Sequence, residues 1–115
     1  MQHTSLENGR WAEMSFPQQM ANIGSESSRV LKALQAGKDS RAEGAFARAQ
    51  ELIDLTIKYG RLDSSPAFRS AMWLELCRFR ELFCAAFLSR NLADLASLNK
   101  YLDQFALIPH SDYRR

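Results

Sequence analysis

A chain of 115 residues with 46% hydrophobic and 24% charged side chains has the size and composition of a single globular domain. Its formal net charge of +2 is too small to predict nucleic-acid binding. We find neither an uncharged apolar run of about 18 residues nor a signal-peptide core, so the sequence argues against a membrane partner and predicts a cytoplasmic protein.

The N-terminal residues are polar, and we interpret 1–14 as an arm that docks through Trp11. A first helix is predicted to begin at Ser15 and Pro17, because a serine side chain accepts hydrogen bonds from the free amides of the first turn, where proline needs no donor. It should end at Gly37. Its apolar side chains recur at intervals of three and four residues, which favours one buried face: Met20, Ile23, Val30 and Leu34.

The second helix is the clearest in the sequence, and we expect Asp39 to cap it and Gly60 to end it. Small side chains interrupted by one aromatic predict that the first helix approaches it closely: Ala42, Ala45, Phe46 and Ala49. After a loop at 61–66, a third helix runs to about Leu88. Apolar residues surround much of its circumference, so we predict that it is the central and most buried helix; the flanking line is Trp73, Cys77, Arg80 and Cys84.

A fourth helix follows the turn at Arg90 and Asn91, and Pro109 stops it. No segment alternates with a period of two residues, and the links between helices are short. The sequence therefore predicts an all-α fold, an antiparallel up-and-down four-helix bundle over 15–108 with a C-terminal tail at 109–115.

The sequence contains no residue pattern that is typical of a metal or cofactor site. The two histidines, His3 and His110, lie in the presumed tails. Cys77 and Cys84 are two helical turns apart, about 10 Å along the axis, which is too far for a disulfide or for binding one zinc ion. No glycine-rich phosphate loop is present. We predict no cofactor, no metal and no catalytic residues.

The segment around Arg78, Arg80 and Glu81 is unusual for a buried helix, because a charge there needs a partner. One interpretation pairs Arg80 with a carboxylate on another helix: Glu26, Glu51, Asp54 or Asp103. The other is an anion or RNA contact made by Arg78 and Arg80 together, assisted by Arg69 and Arg90.

A polar pocket between helices is a further hypothesis. Asn22, Ser25 and Glu26 cluster on the side of the first helix away from its apolar face, and Asp54 lies at the edge of the apolar face of the second. Solvated faces and hydrogen bonds between helices are the alternative explanation. On the second helix the potentially functional residues are Arg48, Glu51 and Asp54. An enzyme working through carboxylates would have to use Glu26, Glu51, Asp54 and Glu81.

Part of the second helix resembles a tetratricopeptide repeat, through a turn glycine, alanine, an aromatic and alanine at Gly37, Ala42, Phe46 and Ala49. Val30 and Ala33 stand where that family has glycine and an aromatic residue, the closing proline is missing, and nothing repeats about 34 residues on. The resemblance therefore implies a way of packing helices and no solenoid.

Most of the chain is similar to a group of short uncharacterised prokaryotic helical proteins, through residues 20–26, 45–57 and 77–81. The layout also resembles HEPN-type bundles, which include toxin ribonucleases and partners of minimal nucleotidyltransferases. Their catalytic signature is an arginine followed four to six residues later by a histidine, and neither His3 nor His110 has one. This resemblance implies a non-catalytic accessory bundle.

We therefore predict a non-enzymatic interaction module that binds another protein or itself. Twelve aromatic residues supply more apolar surface than one small bundle needs, which favours a homodimer through the third or fourth helix. The alternative is a bundle that binds RNA or another anion through the arginines of the third helix.

Overall fold

Helices account for nearly all of the structure, a computed structural model that describes residues 10–59 and 66–107. Four long helices follow one another: α1 (Phe16–Gln35), α2 (Asp39–Tyr59), α3 (Pro66–Leu88) and α4 (Leu92–Asp103). A helical turn, Trp11–Glu13, precedes α1, and a 3-10 turn, Gln104–Leu107, follows α4. The described residues contain no strand, and the all-α prediction is confirmed.

The ends of α1 are set by local side-chain and backbone chemistry. Ser15 Oγ accepts a hydrogen bond from the Gln18 amide at 3.2 Å, and the Gln18 side chain accepts one from the Ser15 amide at 2.8 Å. Gly37 follows the helix with φ of 73°, a conformation that a residue without Cβ adopts without strain. The expected cap of α2 is corrected by one position, because Asp39 is its first residue and the Lys38 carbonyl accepts the first hydrogen bond.

Neighbouring helices are antiparallel, because residue numbers rise on one helix as they fall on the next. Two pairs define this order between α2 and α3, Phe46–Phe87 and Asp54–Arg80. Two more define it between α1 and α4 with its following 3-10 turn, Ser27–Asn99 and Phe16–Phe105. Helix α1 packs on α2 and α4, and α3 packs on the same two helices from the opposite corner. The predicted up-and-down four-helix bundle is confirmed.

Small residues bring α1 close to both of its neighbours. Ala42, Ala45 and Ala49 of α2 are fully buried, as expected for a close contact with α1. On the other side, a Cβ added at Gly24 would lie only 3.2 Å from the Leu102 Cβ of α4. Helix α1 therefore lies closest to its neighbours where its own side chains, or those facing it, are smallest.

Aromatic side chains fill the space between α3 and the rest of the bundle. Phe46 of α2 stacks on Phe87 of α3 at 4.1 Å, and Phe83 is fully buried. The prediction that α3 is the central, most buried helix is nevertheless wrong. Trp73 on its flanking line is 43% exposed and Cys77 is exposed. In a square of four helices each has an outer face, and in α3 much of that face is apolar.

The predicted docking residue of the N-terminal arm lies inside the bundle. Trp11 is fully buried, its indole N–H donates to Thr56 Oγ1 at 3.2 Å, and its carbonyl accepts a hydrogen bond from the Gln19 side chain. The predictions for residues 1–9, for the helix end at Gly60, for the loop at 61–65 and for the tail at 109–115 lie outside the described residues, whereas Pro66, expected at the end of that loop, is the first residue of α3. Within the described ranges, no helix is both long and apolar enough to cross a membrane.

Candidate functional site

The sequence-predicted residues Glu26 and Arg48 form an ion pair between α1 and α2. Arg48 Nε donates to Glu26 Oε1 at 3.1 Å, and Arg29 NH1 lies 3.0 Å from Glu26 Oε2. Glu26 is only 7% exposed, which corrects the expectation that it lies on the side of α1 away from the core. A carboxylate so placed holds two guanidinium groups in fixed positions.

Asp54 and Arg80 form a second ion pair, between α2 and α3. The Arg80 NH2 group donates to Asp54 Oδ1, which selects Asp54 among the four carboxylates considered from the sequence. Asp54 is exposed and Arg80 is half-buried, so the pair contributes no more than about 1 kcal/mol to stability. Within the described residues Arg80 Nε is buried without a hydrogen-bond partner.

The arginines proposed to bind RNA point in different directions. Arg78 and Arg80 lie about 160° apart around the axis of α3, so they do not present one surface together. Arg69 is on the Arg80 side, about 20° from it. Arg90 is at the turn after α3, with its guanidinium carbon 4.3 Å from the centroid of the Phe87 ring. These four arginines therefore do not lie together on one surface.

Carboxylates and thiols form no reactive cluster in the part of the chain that the structure describes. There, no three histidine, cysteine, aspartate or glutamate side chains lie close enough together to hold a metal ion. Cys84 Sγ accepts a hydrogen bond from the Gln50 side chain at 3.2 Å, and Cys77 is a free, exposed thiol.

One titratable side chain has a strongly shifted pKa. Burial, together with a 3.0 Å hydrogen bond to Glu75 and the negative charge of that carboxylate, raises the pKa of Tyr101 to about 12. The phenol is thus kept protonated between α3 and α4, which makes Tyr101 a structural hydrogen-bond donor.

The outer face of α3 is the most distinctive surface of the bundle. We define the outer α3 face as the exposed residues Ala71, Leu74, Arg78, Glu81, Ala85 and Leu88, with Trp73, Cys77 and Leu82 at its edges. Leu74 is 69% and Leu88 76% exposed, although both are large apolar side chains. Arg78 and Glu81 lie near its middle, and neither has an ion-pair partner among the described residues.

Reasoning from the sequence included Arg78 and Glu81 but missed the apolar residues around them. The signal was available: around the helix axis Leu74 lies about 180° and Leu88 about 140° from Phe83, so one buried face cannot include all three.

Comparison with protein-family models, curated proteins and solved structures found no match for this chain. The likeness to HEPN-type bundles and to the tetratricopeptide repeat therefore stays a prediction.

Proposed function

We propose that this chain is a non-enzymatic helical interaction module that associates with a second copy of itself through the outer α3 face. The observation that carries the proposal is an exposed apolar helix face with an arginine and a glutamate near its middle that have no ion-pair partner among residues 10–59 and 66–107. Large apolar side chains in water are unfavourable, and a partner that covers Leu74 and Leu88 removes that penalty.

The order of residues along α3 fits a two-fold, antiparallel pairing with the same helix of a second copy. Arg78 and Glu81 are equally distant from a point between residues 79 and 80. When two such helices pair about that point, Arg78 of one copy lies beside Glu81 of the other, and the reverse contact forms by symmetry. Leu74 then faces Ala85 across the same axis. The two charges thus specify the antiparallel register.

A single helix face sets the expected strength of this association. Stable complexes bury roughly 800 Å² on each partner, and one helix face of this length supplies less. We therefore expect a dissociation constant in the micromolar range, with exchange between monomer and dimer. RNA or anion binding through the arginines of α3 has less support, since Arg78 and Arg80 lie on opposite sides of the helix.

Sedimentation of charge-reversal variants tests the proposal. Arg78→Glu and Glu81→Arg each place like charges together in the dimer, so each should weaken it at least tenfold. The double variant R78E/E81R restores opposite charges and the native net charge, so it should regain most of the affinity. Lys100→Glu, at an exposed position of α4, serves as the control for a change of net charge.

Two outcomes would contradict the proposed dimer. One is a monomeric mass for the native chain up to high micromolar concentration. The other is a double variant that dissociates as readily as the single ones, because a dimer in another register or through another face gives no such rescue. Salt-dependent binding of RNA that Arg78→Glu abolishes would instead favour the alternative function.

A further inference from the structure

A concave basic surface lies at the opposite corner of the bundle, where α1 passes into α2. The groove has a volume of about 490 Å³, and five of its lining side chains are cationic: Arg29, Lys32, Lys38, Arg41 and Arg48. We call it the basic groove. Ala33 and Ala36 form the remainder of its lining.

Local structure brings these cations together from two helices. Arg29 and Lys32 are three residues apart on α1 and therefore share one side of it. After Gly37, the Lys38 amide donates to the Ala33 carbonyl at 2.8 Å, and this tight reversal holds Lys38 against the end of α1. Arg41 follows one turn into α2.

Charge in the basic groove is almost entirely of one sign. Glu26 engages Arg29 and Arg48, and both arginines also line the groove. Lys32, Lys38 and Arg41 have no ion-pair partner among the described residues. The combined positive charge of these side chains attracts an anion to the concavity.

We propose that the basic groove binds a compact ligand carrying several phosphate groups. Arginine and lysine are the usual protein donors to phosphate oxygens, and Arg29 and Arg48 each have N–H donors besides the one that faces Glu26. No aromatic side chain lines the groove, so it offers no stacking platform for the bases of a nucleic acid. A neighbouring hollow shares Arg29 and Lys32 but contains Asp103, which disfavours an anion on that side.

Inorganic tripolyphosphate is the probe that tests this site. Isothermal titration should give binding to the native chain that is at least tenfold tighter than binding of sulfate. Binding to the folded state alone should also raise the Tm, by about 10 °C at roughly 100 times the dissociation constant. The effect should diminish as ionic strength rises, since the groove is open to solvent.

A pair of substitutions separates the groove from the general charge of the protein. K32Q/R41Q removes two exposed cations from the groove without disturbing the core, so we expect tripolyphosphate binding to weaken at least tenfold. R10Q/K100Q removes two exposed cations outside the lining and should leave binding within twofold of native.

Three results would overturn the proposal. One is binding of tripolyphosphate no tighter than that of sulfate, and another is an equal loss of affinity in the two double variants. The third result is tighter binding of a single-stranded RNA oligomer than of tripolyphosphate, with the same sensitivity to K32Q/R41Q, which would make the groove part of a nucleic-acid surface.

Discussion

Removal of the Trp11 side chain is the sharpest test of how the N-terminal turn belongs to the fold. This residue is fully buried although it precedes the capping serine of α1. Replacing a buried tryptophan by alanine costs about 3–5 kcal/mol in lost apolar burial and in the cavity left behind. A domain of this size is stable by about 5–15 kcal/mol, so Trp11→Ala should remove a large share of its free energy of unfolding.

The hydrogen bond of Trp11 can be separated from its burial. Thr56→Val keeps the shape of the acceptor side chain but leaves the indole N–H buried without a partner, at a cost of about 1–3 kcal/mol. Trp11→Phe removes the same bond from the other side and keeps an aromatic ring in place. The two substitutions should therefore be non-additive by about 1 kcal/mol.

Urea unfolding followed by circular dichroism measures these changes, at protein concentrations below the onset of self-association. Trp73→Ala is the matched control, because it removes the same side chain from a position that is 43% exposed, and we expect it to cost about 1 kcal/mol or less. The reasoning fails if Trp11→Ala stays within 1 kcal/mol of the native chain, or if Trp73→Ala destabilises more than Trp11→Ala does.

Two further predictions concern the Tyr101–Glu75 hydrogen bond and the glycines inside helices. In ¹³C NMR titration of labelled tyrosines, Tyr101 should titrate near pH 12. Glu75→Gln should move the pKa of Tyr101 only part of the way back toward 10, because burial, the larger cause of the shift, remains. An unchanged pKa in this variant would exclude a contribution from Glu75. Gly44→Ala should stabilise the protein by about 0.5–1 kcal/mol, because alanine is the better helix former and the new Cβ would lie at an ordinary van der Waals distance of 3.6 Å from Arg48 NH1. Gly24→Ala should lose that gain, because its Cβ would press on the Leu102 Cβ; equal urea midpoints would contradict the close approach of α1 and α4.

Helix boundaries were predictable because they depend on chemistry within a few residues of the chain. At the start of α1, Ser15 and Gln18 exchange hydrogen bonds with each other's backbone amides. Gly37 adopts the positive φ that follows the end of α1, and α3 begins at Pro66. The up-and-down arrangement followed from the short links at 36–38 and 89–91, which leave little choice but antiparallel neighbours.

Burial of α3 was not predictable from its own sequence. Apolar residues surround much of this helix, and that pattern is typical both of a helix buried on all sides and of one with an exposed apolar face. The number of helices packed around α3 decides between the two, and that number is a tertiary property. With neighbours only at α2 and α4, Trp73 and Leu74 are left in solvent.

The partners of charged residues were likewise not predictable from the sequence of a single helix. Four carboxylates were candidate partners of Arg80. Asp54 is the partner because of how α2 and α3 are aligned along their axes, which neither helix sequence specifies alone. Glu26 seemed to lie outside the apolar face of α1, yet the alanines of α2 bring Arg48 to it and make that position an interior one. The cations of the basic groove all lie within residues 29–48, but the concavity depends on how α1 packs on α2 after the reversal.

The two proposed surfaces should act independently, because they share no helix. The basic groove is built on α1 and α2, whereas the outer α3 face belongs to the helix diagonal to α1. A pairing through α3 leaves both grooves uncovered on the far sides of the dimer. Arg78→Glu should therefore abolish self-association with less than a twofold change in tripolyphosphate affinity, and K32Q/R41Q should do the reverse.

Sedimentation and calorimetric titration of Arg78→Glu and K32Q/R41Q test whether the two surfaces act independently. Their charge changes lie on different helices, and the electrostatic influence of exposed groups is screened over about 8 Å at physiological ionic strength. If Arg78→Glu weakens the binding of tripolyphosphate as strongly as K32Q/R41Q does, the two surfaces are coupled. The ligand would then bridge copies of the chain, and the diagonal arrangement of groove and dimer face could not be correct.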